Sequence, residues 1–305
     1  MTTLPVVAAV DGSDDSLCAL EWALTAARQR AATLRVAHVR QHAQRAQPGL
    51  PVADAPEPAA DPVLDEVRGR LAGRDGLPLV EYVSLQGAPA VVLPELGITA
   101  QLMVLGSRGR GGFASLLLGS NSLAAARDAA CPVVVVPRPG REVHEGPSVP
   151  PGPRVVVGLH VDSPAEAMLA FAFAEADRRG ALLHVISAYP WTPLEVWPAP
   201  GEAVPAAVDE DAVEEEVRTM AAGLLAVHRE RHPGVRVELS TPPGRAAGHL
   251  VAASGGAELV VVGRHRRRLL APARMIGSVT QAVLLHAASP IAVIPSAAEP
   301  ERTDG

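Results

Sequence analysis

Apolar runs and amphipathic stretches alternate along the chain in two rounds. In the first, residues 4–10 read as an apolar strand, and 15–30 place Leu17, Leu20, Ala23, Leu24 and Ala27 on one face of a helix. Strand 33–39 follows, then a Pro/Ala/Gln-rich excursion over 41–60. The pattern continues as helix 61–73, strand 78–84, helix 88–98, strand 101–106, a glycine-rich loop, helix 119–129 and strand 132–137. The runs 102–105 and 133–136 are apolar at every position, with no polar alternation. Strands of that kind are covered on both faces, so the pattern predicts an α/β fold with a parallel sheet between helices. Ligands on such sheets sit at the carboxyl ends of the strands, near the switch in winding direction. The residues after strands one and four are therefore the ones to inspect for chemistry.

The second round repeats the first. Val7-Ala8-Ala9-Val10-Asp11-Gly12-Ser13 aligns with Val156-Val157-Gly158-Leu159-His160-Val161-Asp162 at an offset of 149, and Leu20 and Trp22 fall on Leu169 and Phe171. Gly87 and the run Met103-Val104-Leu105-Gly106 fall on Gly244 and Val260-Val261-Val262-Gly263 at an offset of 157. Gly119-Ser120 and Cys131-Pro132 fall on Gly277-Ser278 and Ser289-Pro290 at 158. Eight residues are thus added in the middle of the second copy and one more in its glycine-rich loop. Two tandem domains are expected, over 1–140 and 152–298, joined by a Pro- and Gly-rich linker at 137–153.

Composition narrows the chemistry. All 27 basic side chains are Arg, which excludes sites built on lysine: a Walker A loop, a kinase-type phosphate site and Schiff-base chemistry. Aromatic residues make up only 3%, so the core must be aliphatic. A net charge of −6 argues against nucleic acid as a general partner. Cys18 and Cys131 do not make a disulfide framework, and Cys131, before a core strand, reads as buried and inert. The opening residues lack a basic n-region, and no run approaches ~20 apolar residues. A soluble cytoplasmic protein with no membrane partner is expected.

The loop after strand four runs Gly106-Ser107-Arg108-Gly109-Arg110-Gly111-Gly112 onward to Gly119-Ser120-Asn121-Ser122. Glycines let backbone amides approach an anion, and a helix opening at Gly119 adds unpaired amides and a favourable dipole. Ser120 and Ser122 hydroxyls can add donors, so the loop can cradle phosphate without lysine; it can equally be a connector ending in a helix cap. After strand one comes Asp11-Gly12-Ser13. Asp11 can accept from a ribose hydroxyl or help to hold Mg²⁺, or it can belong to a plain turn with Asp14 or Asp15 capping the next helix. Its place opposite the glycine-rich loop favours the first reading.

These motifs together resemble the universal stress protein family in its tandem-domain form. Gly106, Gly109, Gly119 and Ser120 meet the pattern G-x2-G-x9-G-[ST] in full, alongside Val10-Asp11-Gly12-Ser13 and the closing Ala130-Cys131-Pro132 with its valine run. The resemblance covers nearly the whole chain. It implies, in each domain, a five-stranded parallel sheet in order 3-2-1-4-5 sandwiched by helices, of the adenine-nucleotide alpha-hydrolase-like kind. It implies ATP as ligand with Mg²⁺, and a role in stress adaptation or dormancy. Carried over by position, Asp11 lies near ribose and metal, Val39 by the adenine, and Gly106, Gly109, Gly119, Ser120 and Asn121 wrap the phosphates and ribose. It also implies domain pairing through the last strands, 133–136 and 291–294, so that one chain mimics a two-domain dimer; as bare apolar edges these strands invite pairing, which is favoured over separate cover by helices or loops, and a further homodimer stays open.

The second copy departs from the pattern. His160 stands at the position of Asp11, Ala188 at that of Val39, and Arg266 at that of the second glycine, with one residue too many before Gly277. ATP is expected in the first domain and weakly or not at all in the second. Other features carry two readings each. Gly109-x-Gly111-x-x-Ala114 matches a dinucleotide fingerprint but follows the wrong strand. The basic run 264–268 reads as a nucleic-acid patch or an anion-facing loop, and the second is favoured. His38 reads as a ligand or a hydrogen-bonded crevice residue. His228 and His232 read as a metal pair or as a helix end suited to its dipole. Trp191 and Trp197 can cover the crevice or a partner contact. No nucleophile–base pair is visible, so a nucleotide-dependent sensor or switch is expected and not an enzyme. The alternatives are a scaffold with a vestigial pocket and an adenine-nucleotide-dependent enzyme.

Overall fold

A computed structural model describes residues 3–41, 60–109, 117–141, 152–190, 209–264 and 275–296. The chain divides into two compact units, one of Met1–Gly140 with Arg267–Ile276 and one of Arg141–Arg266 with Gly277–Gly305. In the first unit, β1 (Val6–Ala9), β2 (Leu34–Arg40), β3 (Val80–Gln86), β4 (Leu102–Gly106) and β5 (Val133–Val136) alternate with α1 (Asp14–Gln29), α2 (Pro62–Leu71), α3 (Pro89–Leu96) and α4 (Ser120–Asp128). Every pairing is parallel, in the order β3-β2-β1-β4-β5. The winding direction therefore reverses between β1 and β4, and in open α/β sheets the carboxyl ends at such a switch point are where ligands bind.

The strand cores explain the apolar runs. All residues of β1, β4 and β5 are buried, as expected for strands sandwiched between helices. Helix α1 packs Ala19, Leu20, Ala23, Leu24 and Ala27 inward, while Leu17 is only half-buried. Its N-cap is Ser13, whose hydroxyl accepts from the Ser16 amide at 3.3 Å, so neither Asp14 nor Asp15 caps this helix. The expected helix over 88–98 ends at Leu96 and tightens into a 3₁₀ turn at Gly97–Thr99. Gly97 faces Ala129 and Cys131 there, where an added Cβ would approach both within 3.3 Å. Cys131 is buried, as its position before β5 suggested.

The second unit holds β6 (Arg154–Gly158), α5 (Glu166–Arg179), β7 (Leu182–Ile186), α6 (Glu210–Arg231), β8 (Val237–Ser240), α7 (Ala246–Ser254), β9 (Leu259–Gly263), α8 (Ser278–His286) and β10 (Ile291–Ile294). Its parallel order is β8-β7-β6-β9-β10. The duplication persists residue by residue. Val6 pairs with Leu34 and Val155 with Leu183; Val6 with Leu102 and Val155 with Leu259; Leu34 with Val80 and Leu183 with Val237; Met103 with Val133 and Val260 with Ile291. All four registers coincide under the sequence offsets. A one-residue slip would turn each strand's side chains to the wrong face, so shared registers show that the duplicated patterns bury the same positions.

Candidate functional site at the carboxyl ends of β1 and β4

The β1 turn and the β4 loop meet directly. Asp11 Oδ1 accepts from the Ser13 amide at 3.0 Å and the Ser13 hydroxyl at 2.6 Å. This fixes the carboxylate, and Gly12 completes the turn at φ 77°, a left-handed conformation suited to glycine. The other oxygen, Oδ2, faces Gly109: a Cβ built there would come within 2.5 Å of it. Gly109 thus has a close-approach reason to be glycine. Gly119 completes the neck of the loop, its amide donating to the Ser107 carbonyl at 2.7 Å.

Gly119 is also the N-cap of α4, and no side chain among the described residues caps that helix. Helices leave their first amides without intrahelical partners, and those amides favour an anion. Ser120 is exposed and Asn121 half-buried at this end. Ser122 is not the donor its position suggested: its hydroxyl is buried and donates to the Gly106 carbonyl at 2.7 Å, tying α4 to the end of β4. Gly106 is demanded by packing. An added Cβ would meet the Asp15 carbonyl carbon at 2.6 Å and the Ser16 nitrogen at 2.9 Å, both backbone of α1. Val39 is buried near the end of β2, and the Val10 amide bonds to the Ala37 carbonyl at 2.9 Å. Continuing that parallel register sets Val39 level with Asp11. The structure thereby brings Asp11, Gly109 and Gly119 together, with Val39 on the neighbouring strand. Residues 110–116 of the loop, including Arg110 and the fingerprint glycine Gly111, lie outside the described residues.

Two clusters escaped the sequence reading. Asp15 is 2% exposed and accepts from the Ser107 hydroxyl at 3.1 Å and Arg138 Nε at 3.0 Å, with Arg108 Nε at 3.5 Å. Its signal was available, since Asp15 lies on the apolar stripe of α1, one turn before Ala19. The second cluster explains His38. Its Nδ1 lies 2.8 Å from Asp61 Oδ1, and Ser84 donates to Asp61 Oδ2 at 2.6 Å. Asp61 also caps α2 through the Val63 and Leu64 amides. Burial raises the Asp61 pKa, but the hydrogen bonds from Ser84, His38 and the Leu64 amide outweigh it and hold the carboxyl below its ordinary value. A depressed carboxylate pKa contributes stability that is present above the unfolded value and is lost as pH falls through the folded one. Asp61→Ala is expected to cost about 2–3 kcal/mol at neutral pH, measured by urea denaturation. The gap to the wild type is expected to narrow below about pH 4.

The corresponding end of the second unit is built differently. His160, at the Asp11 position, is exposed. Gly263, matching Gly106, has no backbone of the described residues against it: an added Cβ would lie 3.5 Å from Met168 Sδ, an ordinary contact. Helix α8 keeps an N-cap glycine, Gly277, with no side-chain cap, and Thr280 repeats the Ser122 tie by donating to the Gly263 carbonyl at 2.8 Å. Ala188, at the Val39 position, is half-buried. The basic positions 265–268, Arg266 among them, and both Trp191 and Trp197 lie outside the described residues. His228 and His232 flank Phe173, with ring centroids 5.2 and 5.9 Å away. His228 Nε2 lies 3.2 Å from Glu166 and His232 Nδ1 lies 3.3 Å from Asp177. Among the described residues no cluster of three or more His, Cys, Asp or Glu is placed to hold a metal ion.

The family model described as "Universal stress protein family" matches residues 3–137 and 153–295. A universal stress protein of Mycobacterium tuberculosis is 35% identical over 303 residues, covering 94% of this chain and 96% of that one. A second from the same organism is 30% identical over 308 residues, with 96% of each chain covered. The crystal structure of a universal stress protein from Archaeoglobus fulgidus shares the fold, with a TM-score of 0.61 at 17% identity, covering 95% of this chain and 98% of that one. Matched in both halves by the family model and along nearly its whole length by these relatives, the chain belongs to the universal stress protein family.

Proposed function

We propose that the protein is a nucleotide-dependent stress-response switch whose first domain, 1–140, binds ATP, with the second, 152–298, binding it weakly or not at all. The observation that carries this reading is the approach of Gly109 to Asp11 Oδ2 beside the uncapped start of α4. A side chain at Gly109 would fill the space, and the two termini that meet there supply complementary groups. Amides of the loop and of Ser120 and Asn121 suit phosphate, with Gly119 allowing the helix to start close to the loop. Asp11 suits a ribose hydroxyl, and Val39 offers an apolar wall for adenine. Mg²⁺ is commonly held by one or two carboxylates together with phosphate oxygens and water, so Asp11 alone suffices on the protein side. Gly106 serves this site indirectly, by letting α1 pack against the start of the loop.

The reading of a switch in preference to a catalyst rests on the described groups around the loop. The Ser107 hydroxyl is engaged by Asp15, the Ser122 hydroxyl by a backbone carbonyl and the His38 ring by Asp61. None of these three offers a hydroxyl–histidine pair for attack on a phosphoryl group. A scaffold role is favoured for the second domain, where an exposed His160 replaces the carboxylate. No described helix is long and apolar enough to cross a membrane.

Denaturing freshly purified protein and separating the released small molecules tests the proposal. About one adenine nucleotide per chain is expected, with a rise in melting temperature when Mg-ATP is added to stripped protein. Empty protein with no thermal response would instead favour a scaffold with a vestigial pocket. Product formed from ATP and a co-substrate would make it an enzyme.

A further inference from the structure

Three charged side chains from distant parts of the first unit converge beside Ser107, at the start of the loop after β4. Asp15 comes from the first turn of α1, Arg108 from the loop after β4, and Arg138 from the residues after β5. Asp15 is buried, and a buried carboxylate is retained only where partners compensate its lost hydration. It has them in Arg138 Nε at 3.0 Å, Arg108 Nε at 3.5 Å and the Ser107 hydroxyl at 3.1 Å. Ser107 is the residue whose carbonyl closes the loop neck by accepting from the Gly119 amide. The carboxylate therefore anchors the loop and orients two guanidinium groups at once.

Arg138 differs from its neighbours in exposure. It engages Asp15 through Nε, while 56% of its side chain remains exposed. A guanidinium held by one edge presents its terminal nitrogens as a planar donor pair, the geometry that matches phosphate oxygens. The second copy lacks the whole arrangement. Pro164 stands at the position of Asp15, Arg264 at that of Ser107 and Ser296 at that of Arg138. There Ser296 donates its hydroxyl to the Arg264 carbonyl at 3.1 Å. The carboxylate and its Arg partner thus occur together, in the copy whose glycine pattern is intact.

We propose that Arg138 is a specificity-determining residue that selects nucleotides by the length of their phosphate chain, and that Asp15 is the positioning residue that holds it. The inference rests on the nucleotide reading above and extends it to which nucleotide is chosen. Arg138 contacts terminal phosphates that ATP has and AMP lacks, so its removal discriminates between them, whereas damage to the fold weakens both.

The test is calorimetric titration of the intact chain with ATP, AMP and inorganic tripolyphosphate. Arg138→Gln is expected to weaken ATP by about tenfold and leave AMP unchanged. Arg138→Lys is expected to recover part of the loss. Asp15→Asn is expected to lower the ATP-to-AMP affinity ratio in the same direction, with circular dichroism checking that the fold is kept. Ser296→Ala, in the second copy, is expected to change neither. Equal losses for ATP and AMP in Arg138→Gln, or no loss for either, overturn the proposal while leaving nucleotide binding standing. Arg138-dependent binding of tripolyphosphate without binding of any adenine nucleotide refutes the nucleotide reading and with it the selectivity assigned to Arg138, leaving only a polyphosphate contact. A wild type that binds none of the three ligands overturns both.

Discussion

Gly109→Val is expected to abolish ATP binding, by about 100-fold or more, while the first domain stays folded. The new Cβ would lie 2.5 Å from Asp11 Oδ2, well inside van der Waals contact. Asp11 cannot swing aside without loss, because its Oδ1 accepts two hydrogen bonds from Ser13. Either the loop moves outward or the carboxylate leaves its place, and both separate the groups proposed to grip phosphate and ribose. A change of about 2.7 kcal/mol in binding free energy corresponds to 100-fold, the order of two charge-assisted hydrogen bonds. Stability is expected to change little, since the residue belongs to a surface loop and its glycine requirement arises from one side-chain oxygen. Titration with Mg-ATP and a melting curve on the same sample separate the two effects. A variant that binds normally would show that the Gly109–Asp11 approach is irrelevant to the ligand.

Gly106→Ala should have the opposite profile, a large loss of stability. Its Cβ would meet the Asp15 carbonyl carbon at 2.6 Å, the carbonyl oxygen at 2.7 Å and the Ser16 nitrogen at 2.9 Å. All three are backbone atoms of α1 and cannot rotate away, so the helix must shift from β4. Overpacking of this kind costs about 1–3 kcal/mol, and the upper end is expected where backbone is the obstacle. Gly263→Ala is the matched control. The nearest atom to its Cβ is the flexible Met168 Sδ at 3.5 Å, and the expected change is less than about 1 kcal/mol. Urea denaturation of the intact chain measures both, and hydrogen exchange in α1 and β4 localises the loss. Equal effects of the two substitutions would contradict the packing role assigned to Gly106.

The contrast also shows where the sequence stops being legible. Elements were readable because they depend on local periodicity, and the duplication supplied two independent readings of each strand. The glycine-rich loop was readable because its spacing is itself the motif. What each glycine does was not. Gly106 and Gly109 look alike in the chain, yet one admits a helix backbone and the other a carboxylate oxygen. The Asp15 cluster joins residues 92 to 123 positions apart, beyond any local pattern, although an acid on the apolar stripe of α1 hinted at a buried partner. The same limit applied to His38, whose partner Asp61 lies 23 residues away at the start of α2. Cap assignment failed for a smaller reason. Asp14 and Asp15 are as good at capping as Ser13 by residue type, and only the chain path after Gly12 selects the serine.

The most direct test of the account is the stoichiometry of Mg-ATP binding to the intact chain, by calorimetry on the wild type, Gly109→Val and Gly277→Val. One nucleotide per chain is predicted for the wild type and for Gly277→Val, and none for Gly109→Val. Two per chain in the wild type, or one that persists in Gly109→Val and disappears in Gly277→Val, would contradict it.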